Sequence, residues 1–311
     1  MSHEVAIEAL REPAPGLAPM TFPVYRQLLG LAPTTRHPEQ GDEQPVQPVA
    51  LVARAAGEVV GLALAELPLA PGEPPELLSL FVLPEWRGRG IATALVEALE
   101  GAVAGAGFRE LTTVYTAGRP SIDAVEGVLR RRGWSRPEAR TVSVRFSPAA
   151  FLATGLFEPH RIAALGARLE IFPWRQLTER EREEIHASHQ RSPWITPALA
   201  PWRFEKAGFD EVSSVGARYR GEVVGWVINH RVEQDYVRFT CSFMRKDISR
   251  RGRIVPLYEA ALRALAAEGC RRSSFVTPVC YPNMIRFIER WIAPIAEFVG
   301  ETRGSRKDLA P

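Results

Sequence analysis

A nine-residue segment occurs twice, 164 positions apart, and limits the possible folds more than any other feature of the chain. Ala53-Arg54-Ala55-Ala56-Gly57-Glu58-Val59-Val60-Gly61 returns as Ala217-Arg218-Tyr219-Arg220-Gly221-Glu222-Val223-Val224-Gly225, with seven of nine positions identical and Gly-Glu-Val-Val-Gly shared without interruption. Five matching residues alone would fit any common hairpin, but the flanks repeat too. Each copy is followed by a long strand, a basic glycine loop, a helix, a further strand and a further helix. With 311 residues, enough for two domains as readily as one, this reads as a tandem duplication.

In the first copy, Leu77–Ala92 reads as a buried strand, a proline break and an Arg/Gly-rich loop, followed by a helix over Thr93–Ala104 with apolar spacing of three and four. Glycines allow close backbone approach, the first helical turn leaves N–H groups free, and Arg87 and Arg89 add positive charge. Such a corner can seat a phosphate or pyrophosphate, or be an ordinary strand–turn–helix corner with two solvent-facing arginines. Gly88 and Gly90 are followed by Ile91 and Ala92, which excludes a nucleoside triphosphate P-loop. Thr93 stands where a Rossmann turn needs its third glycine.

The run Val82-x-Pro84-x-x-Arg87-Gly88-Arg89-Gly90-Ile91-Ala92 resembles the acyl-CoA signature of the GNAT superfamily of N-acetyltransferases, Gln/Arg-x-x-Gly-x-Gly/Ala after a strand. The resemblance implies that Arg87, Gly88, Arg89, Gly90, Ile91 and Ala92 hold the CoA pyrophosphate while Phe81 and Val82 lie along the pantetheine arm, with acetyl-CoA as acyl donor. It also implies the fold class: α/β (α+β), two tandem GNAT-like domains, each a mixed, mostly antiparallel twisted sheet flanked by helices. The element order agrees. Val5–Leu10 is a first strand, Leu17–Leu31 one or two short helices, and Val49–Arg54 with Glu58–Leu67 a hairpin. Arg109–Tyr115, Ile122–Arg131 and Thr141–Phe146 then supply strand, helix and last strand. The expected division is an acetyl-CoA-binding domain over 1–148, a linker over 149–168, and a degenerate second domain over 169–311. The Pro- and Gln-rich stretch Ala32–Pro48, and Gln190–Pro201 in the second copy, are the expected acceptor-facing loops.

The copies differ where the donor would bind. Arg251, Gly252 and Arg253 match Arg87, Gly88 and Arg89, but Ile254 replaces Gly90 and Pro256 replaces Ala92. A β-branched residue at the position of close approach would push a pyrophosphate away. The second copy is therefore expected to pack against the first or shape the acceptor pocket, with an unusual CoA site through its arginines as the alternative.

Acyl transfer to an amine needs a base, a polarised carbonyl and a proton for the leaving thiolate. Glu76, fourteen residues before Gly90, resembles in position the glutamate base of histone-type members; otherwise it is a solvent-facing loop carboxylate. The family's tyrosine acid, four residues before a Gly-Phe pair, has no counterpart: Gly133-Trp134 takes that place and Leu129 the tyrosine's. Tyr115 and Ser121 are the nearby hydroxyls that can substitute, unless the thiolate leaves without a dedicated acid. Ser79, on the face of Phe81, can line the same slot. His186 and His189 lack a third metal ligand, Cys241, Cys270 and Cys280 lack metal spacing, and no metal site is expected. The aromatics Trp174, Trp194, Trp202, Phe204, Tyr219, Trp226, Tyr236 and Phe239 are concentrated in the second copy, as core or as pocket wall.

Net charge is only +3, with basic residues dispersed, which gives nucleic-acid binding no support. No apolar run is long enough for a bilayer, and the N-terminus lacks a signal-peptide pattern, so a cytoplasmic protein without a membrane partner is expected. The reading is a transfer of acetyl from acetyl-CoA to the amine of a small molecule, by a monomer or homodimer. The alternatives are a longer acyl chain, a peptide N-terminus as acceptor, or a non-catalytic CoA-binding or scaffold protein.

Overall fold

The computed structural model describes residues 4–35, 45–205, 208–249 and 252–309. The repeated nonapeptide forms the same object twice. Both copies turn through two residues with positive φ, Ala56 (49°) and Gly57 (86°), then Arg220 (54°) and Gly221 (83°), the type I′ geometry that suits strand twist. In both, the second valine is a β-bulge. Ala53 pairs with Gly61 and Arg54 with Val59, leaving out Val60; Ala217 pairs with Gly225 and Arg218 with Val223, leaving out Val224. The closing glycine has a packing reason: a Cβ on Gly61 would lie 3.1 Å from the Phe81 carbonyl, and one on Gly225 2.8 Å from the Phe243 carbonyl.

In chain order the elements are β1 (Val5–Ala9), β2 (Thr34–Thr35), β3 (Pro45–Ala55), β4 (Glu58–Pro68), β5 (Glu76–Val82), α1 (Ile91–Gly105), β6 (Glu110–Thr116), α2 (Ile122–Arg131) and β7 (Glu138–Phe146). There follow α3 (Pro148–Leu152), α4 (Pro159–Gly166), β8 (Leu169–Pro173), α5 (Glu179–Arg191), α6 (Pro201–Glu205), β9 (Val215–Tyr219), β10 (Glu222–Glu233), β11 (Tyr236–Met244), α7 (Val255–Ala267), β12 (Arg272–Pro278), α8 (Pro282–Phe287) and β13 (Phe298–Asp308). The segment Leu17–Leu31, expected as short helices, holds two 3-10 turns, Pro15–Met20 and Pro23–Gly30.

The chain forms two compact units, residues 1–140 with 301–311, and residues 141–300. In the first, β1, β3, β4, β5, β6 and β13 lie side by side, antiparallel except for the β5–β6 pair. In the second the order is β8, β9, β10, β11, β12 and β7, antiparallel except for β11–β12. The two plans correspond strand for strand, with one exchange. The last strand of the first repeat pairs inside the second unit, Thr141 to Phe146 against β12, while Thr302 to Asp308 of the second repeat pair with β6. The expected boundary at 148 therefore falls inside the second unit. The segment expected as a linker over 149–168 is folded there: Phe151, Leu156 and Phe157 from it are buried in the core of that unit.

Each sheet carries apolar packing on both faces. In the N-terminal unit α1 places Ile91, Leu95, Val96, Leu99 and Val103 on one face, with Leu309 beyond β13, while the 3-10 turns bring Leu28 and Leu29 to the other. α1 also buries Glu100, which accepts from Trp134 Nε1 at 2.8 Å and from Arg132 at 2.7 Å; the Gly133-Trp134 pair thus ties α2's exit to α1. In the C-terminal unit α7 packs Tyr258, Leu262 and Leu265 on one face, and Trp174, Trp226 and Phe243 cluster on the other.

In the C-terminal unit the arginine of the repeat, Arg218, carries a half-buried charge network. Arg218 reaches Glu181 at 2.5 Å and Glu170 at 2.8 Å, with its guanidinium 3.6 Å above the Phe172 ring. Glu181 also closes a capping box with Thr178 at the start of α5. The hydrogen bond from Arg218, together with those from Thr178, holds the Glu181 carboxyl at about 2, against an ordinary 4.5. A depressed folded-state pKa stabilises the fold above the ordinary value, and that stabilisation is lost as pH falls from 4.5 toward 2. Thermal melts between pH 6 and pH 2 should therefore show wild type losing its advantage over Glu181→Gln across that interval. An advantage that persists at pH 2 would refute the assignment.

Candidate active site

The candidate site of the N-terminal unit begins where β5 and β6 part. Their parallel pairing consists of Glu76↔Thr112 and Leu77↔Thr113. The Thr113 hydroxyl donates to the Leu77 carbonyl at 2.8 Å, and Thr112 closes on Pro75 through both its backbone N–H (2.9 Å) and its hydroxyl (3.0 Å). Beyond Leu77, β5 bulges at Leu78, because Leu64 pairs with Ser79 and Ala65 with Leu77. Leu78 to Val82 then continue past the last rung shared with β6, offering backbone groups along an open edge.

At the end of β5 the chain makes one 3-10 turn, Pro84–Trp86, and enters the Arg/Gly loop. Gly88 (φ 75°) and Gly90 (φ 80°) are both left-handed, and a Cβ at either would meet nothing within 4 Å; glycine is required here for backbone conformation, not for space. Gly90 is the residue before α1, which starts with no side-chain cap, so its first N–H groups point outward. Arg87 Nε donates to the Val82 carbonyl at 2.9 Å, and Arg89 lies 4.8 Å over the Trp86 ring while donating to the Glu85 carbonyl at 3.1 Å. Among the described residues neither arginine forms an ion pair with a carboxylate. Two cations, an uncapped helix start and left-handed glycines are groups with which such a corner can accept a phosphate or pyrophosphate.

The candidate acid–base residues lie on opposite faces of the sheet. Leu77 belongs to the core on the α1 face and Leu78 to the core on the opposite face, so Glu76 points to the face of the 3-10 turns. Ser79 and Phe81 point the same way, opposite Leu64 and Leu62, and the Ser79 hydroxyl is 2.7 Å from that of Thr21. The Tyr115 ring packs on the α1 face, and its hydroxyl donates to Glu126 of α2 at 3.0 Å. Burial, then that hydrogen bond, pushes its pKa well above the ordinary range. Ser121 is exposed immediately before α2.

One residue escaped the sequence reading. Glu66, only 4% exposed, sits in β4 directly opposite Glu76. It alternates with Ala65 and Leu67, both in the α1-face core, so its carboxylate shares the face of Glu76. The signal was a lone carboxylate inside the run Leu62–Leu67, overlooked because the strand is otherwise apolar. Of the expected acceptor loop Ala32–Pro48, residues 36–44 lie outside the described residues.

The C-terminal unit builds the corresponding corner differently. Gly252 keeps its positive φ (80°), but Ile254, where Gly90 would stand, is right-handed at −73°. Pro256 removes one N–H and is buried, its ring 3.7 Å from where a Cβ on Gly166 of α4 would lie. The start of α7 thus packs against protein instead of facing outward. Arg251, the counterpart of Arg87, lies outside the described residues. His186 stacks on Trp202 at 4.1 Å, and His189 Nδ1 accepts from Trp194 N–H at 3.1 Å; among the described residues no group of three potential ligands could hold a metal ion. No described helix is long and apolar enough to cross a membrane.

Residues 20–126 match the family model of the acetyltransferase (GNAT) family. No curated protein sequence matches the chain. Among solved structures, it is similar to a GCN5-related glucosamine N-acetyltransferase region of a fungal multi-domain GH3 β-N-acetylglucosaminidase, with 16% identity and TM-score 0.63, covering 99% of this chain and 38% of that one. A tandem GNAT protein from the clavulanic acid biosynthesis pathway is 15% identical at TM-score 0.60, with 99% of both chains covered. A GCN5-related N-acetyltransferase from Sphaerobacter thermophilus is 16% identical at TM-score 0.56, covering 98% of this chain and 96% of that one. Residues 20–126 thus match the GNAT family model, and the chain shares its fold along nearly its whole length with a tandem GNAT protein.

Proposed function

We propose that the N-terminal unit moves acetyl from acetyl-CoA to the amine of a small-molecule acceptor, and that the C-terminal unit, a degenerate copy, is structural and shapes the acceptor side. The observation that carries this reading is the corner at Arg87–Ala92, where two arginines without carboxylate partners among the described residues flank an uncapped helix start. Phe81 and Val82 on the open edge of β5 run along the pantetheine arm. Gly88, Gly90, Ile91 and Ala92 hold the pyrophosphate through backbone N–H groups. Glu76 takes the proton from the amine nitrogen as it bonds to the acetyl carbon, with Glu66 beside it. The C–S bond then breaks and the CoA thiolate takes its proton from solvent. Neither Tyr115, whose raised pKa makes it a poor acid toward a thiolate, nor exposed Ser121 has to supply it. We place the protein in the cytoplasm, where its three unpaired thiols are compatible with reducing conditions.

Calorimetric titration of acetyl-CoA tests the assignment. One site is expected, weakened at least about a hundredfold by Arg87→Ala with Gly90→Ile, which removes a charge-assisted contact and the left-handed turn together. Gly252→Asp should leave it unchanged. A site sensitive only to Gly252→Asp would move the donor to the other unit. A second reading, CoA binding without turnover, draws on one observation: buried Leu129 stands where the family's tyrosine would be. Tight binding with no product across a panel of amines would favour that reading.

A further inference from the structure

The C-terminal unit contains a cavity that the acetyl-transfer reading does not use. β11 and β12 pair from Tyr236↔Arg272 to Phe239↔Phe275 and then separate, leaving a space of about 280 Å³. Its back wall is aromatic: Phe239 stacks on Phe275 at 4.8 Å, and Tyr258 stands edge-on to both at 6.0 and 5.6 Å. Leu199, from the expected acceptor-side loop Gln190–Pro201, lines it from above; its carbonyl is held by Trp226 Nε1 at 3.1 Å. Among the described residues no Asp, Glu, Lys or Arg lines the cavity, so a charged guest would lose its hydration without gaining a partner from them.

One polar group in this wall has its direction set by its neighbours. Thr240 is the bulged residue of β11, left out where Ile228 pairs with Cys241 and Asn229 with Phe239. Its Oγ1 is 2.9 Å from His230 Nδ1, and His230 Nε2 is 2.9 Å from the carbonyl of Phe204. A carbonyl only accepts, so Nε2 carries the hydrogen, and in the neutral ring Nδ1 is left as an acceptor. The Thr240 hydroxyl therefore donates to Nδ1, its other acceptor, the Arg238 carbonyl, being farther away at 3.4 Å. With its hydrogen so engaged, Thr240 can offer the cavity only lone pairs.

We propose that this cavity binds a small neutral molecule with a flat apolar body and one hydrogen-bond donor, of the indole or phenol class, with the donor seated on Thr240 Oγ1. The volume, near the lower end of the roughly 300–1,000 Å³ of small-molecule sites, suits one or two fused rings. Among the described residues no cation lines it to hold a phosphate, unlike the donor corner of the other unit.

The cavity contains its own reporter. Cys280 lines it and is exposed, whereas Cys241 and Cys270 are buried. Iodoacetamide labelling of the full chain, followed by peptide mass spectrometry, reads occupancy without reference to catalysis. Indole and phenol should protect Cys280, at least about tenfold more tightly than N-methylindole and anisole, which keep the shape but lose the donor. Benzoate should not protect. Thr240→Val should erase the preference for the donor-bearing probes and Thr240→Ser retain it; the methylated-probe comparison in wild type stands even if Thr240→Val folds poorly. Equal protection by the methylated probes, no protection by any probe, or stronger protection by acetyl-CoA than by indole would each overturn the proposal.

Discussion

Deletion of residues 301–311 is expected to unfold the N-terminal unit, although the candidate active site lies more than two hundred residues earlier in the sequence. These residues supply a strand of the N-terminal sheet, in register with β6 from Thr302↔Thr116 to Asp308↔Glu110. Their side chains close the edge. Ser305 donates to the Ser135 carbonyl at 2.8 Å, Lys307 Nζ to the Arg132 carbonyl at 2.7 Å, and Leu309 is buried in the α1-face core. Removing them opens the buried edge of β6 and strips its ladder partners. A domain is stable by only about 5–15 kcal/mol, and the loss of a whole strand exceeds that margin. The measurement is hydrogen exchange resolved by peptide: β3–β6 should lose protection in the truncated chain. Retained protection there would show that the sheet tolerates the missing strand. For the same reason a fragment of residues 1–148 should not fold independently: it lacks β13, and its last strand pairs with β12 of the other unit.

Glu76→Gln is expected to lower kcat by about 10²–10⁴-fold, the range for loss of a positioned general base, while acetyl-CoA binding stays within about twofold. The amide cannot take the amine's proton, yet it preserves the side-chain shape opposite Glu66 and Thr112. Raising pH should partly restore the variant, since more of the acceptor is then already deprotonated; a merely structural role for Glu76 would give no such rescue. Tyr115→Phe is the contrasting variant. It should leave kcat within about threefold, and cost about 0.5–1.5 kcal/mol of stability through the lost hydrogen bond to Glu126. If Tyr115→Phe abolished turnover and Glu76→Gln did not, the roles assigned to these residues would be reversed.

Much of the local structure could be read from the sequence because it is encoded locally. The two-residue turns, the valine bulges and the closing glycines depend on a few adjacent residues, and the repeated nonapeptide carries all three. The Arg87–Ala92 corner is likewise one contiguous segment, so its strand–loop–helix form follows from its spacing; α2 falls at Ile122–Arg131 as its periodicity predicts. The expected linker was harder to recognise: Pro148–Gly166 contains two helices only five and eight residues long, stabilised by burial of Phe151, Leu156 and Phe157 instead of by propensity.

The sequence by itself determined the duplication, the order of strands and helices in the first copy and of those up to Trp291 in the second, and the contrast between Gly90 and Ile254 at the two loop corners. Only the tertiary structure decided which strand completes which sheet. Residues 141–146 read as a last strand and 302–308 carry no strand reading from the sequence, and strand pairing is a choice among distant partners that no local spacing records. The same holds for Glu66 beside Glu76, and for His230 behind Thr240. Each pair is ten residues apart in sequence, and it is the register of an antiparallel ladder with its bulge that brings the two side chains together.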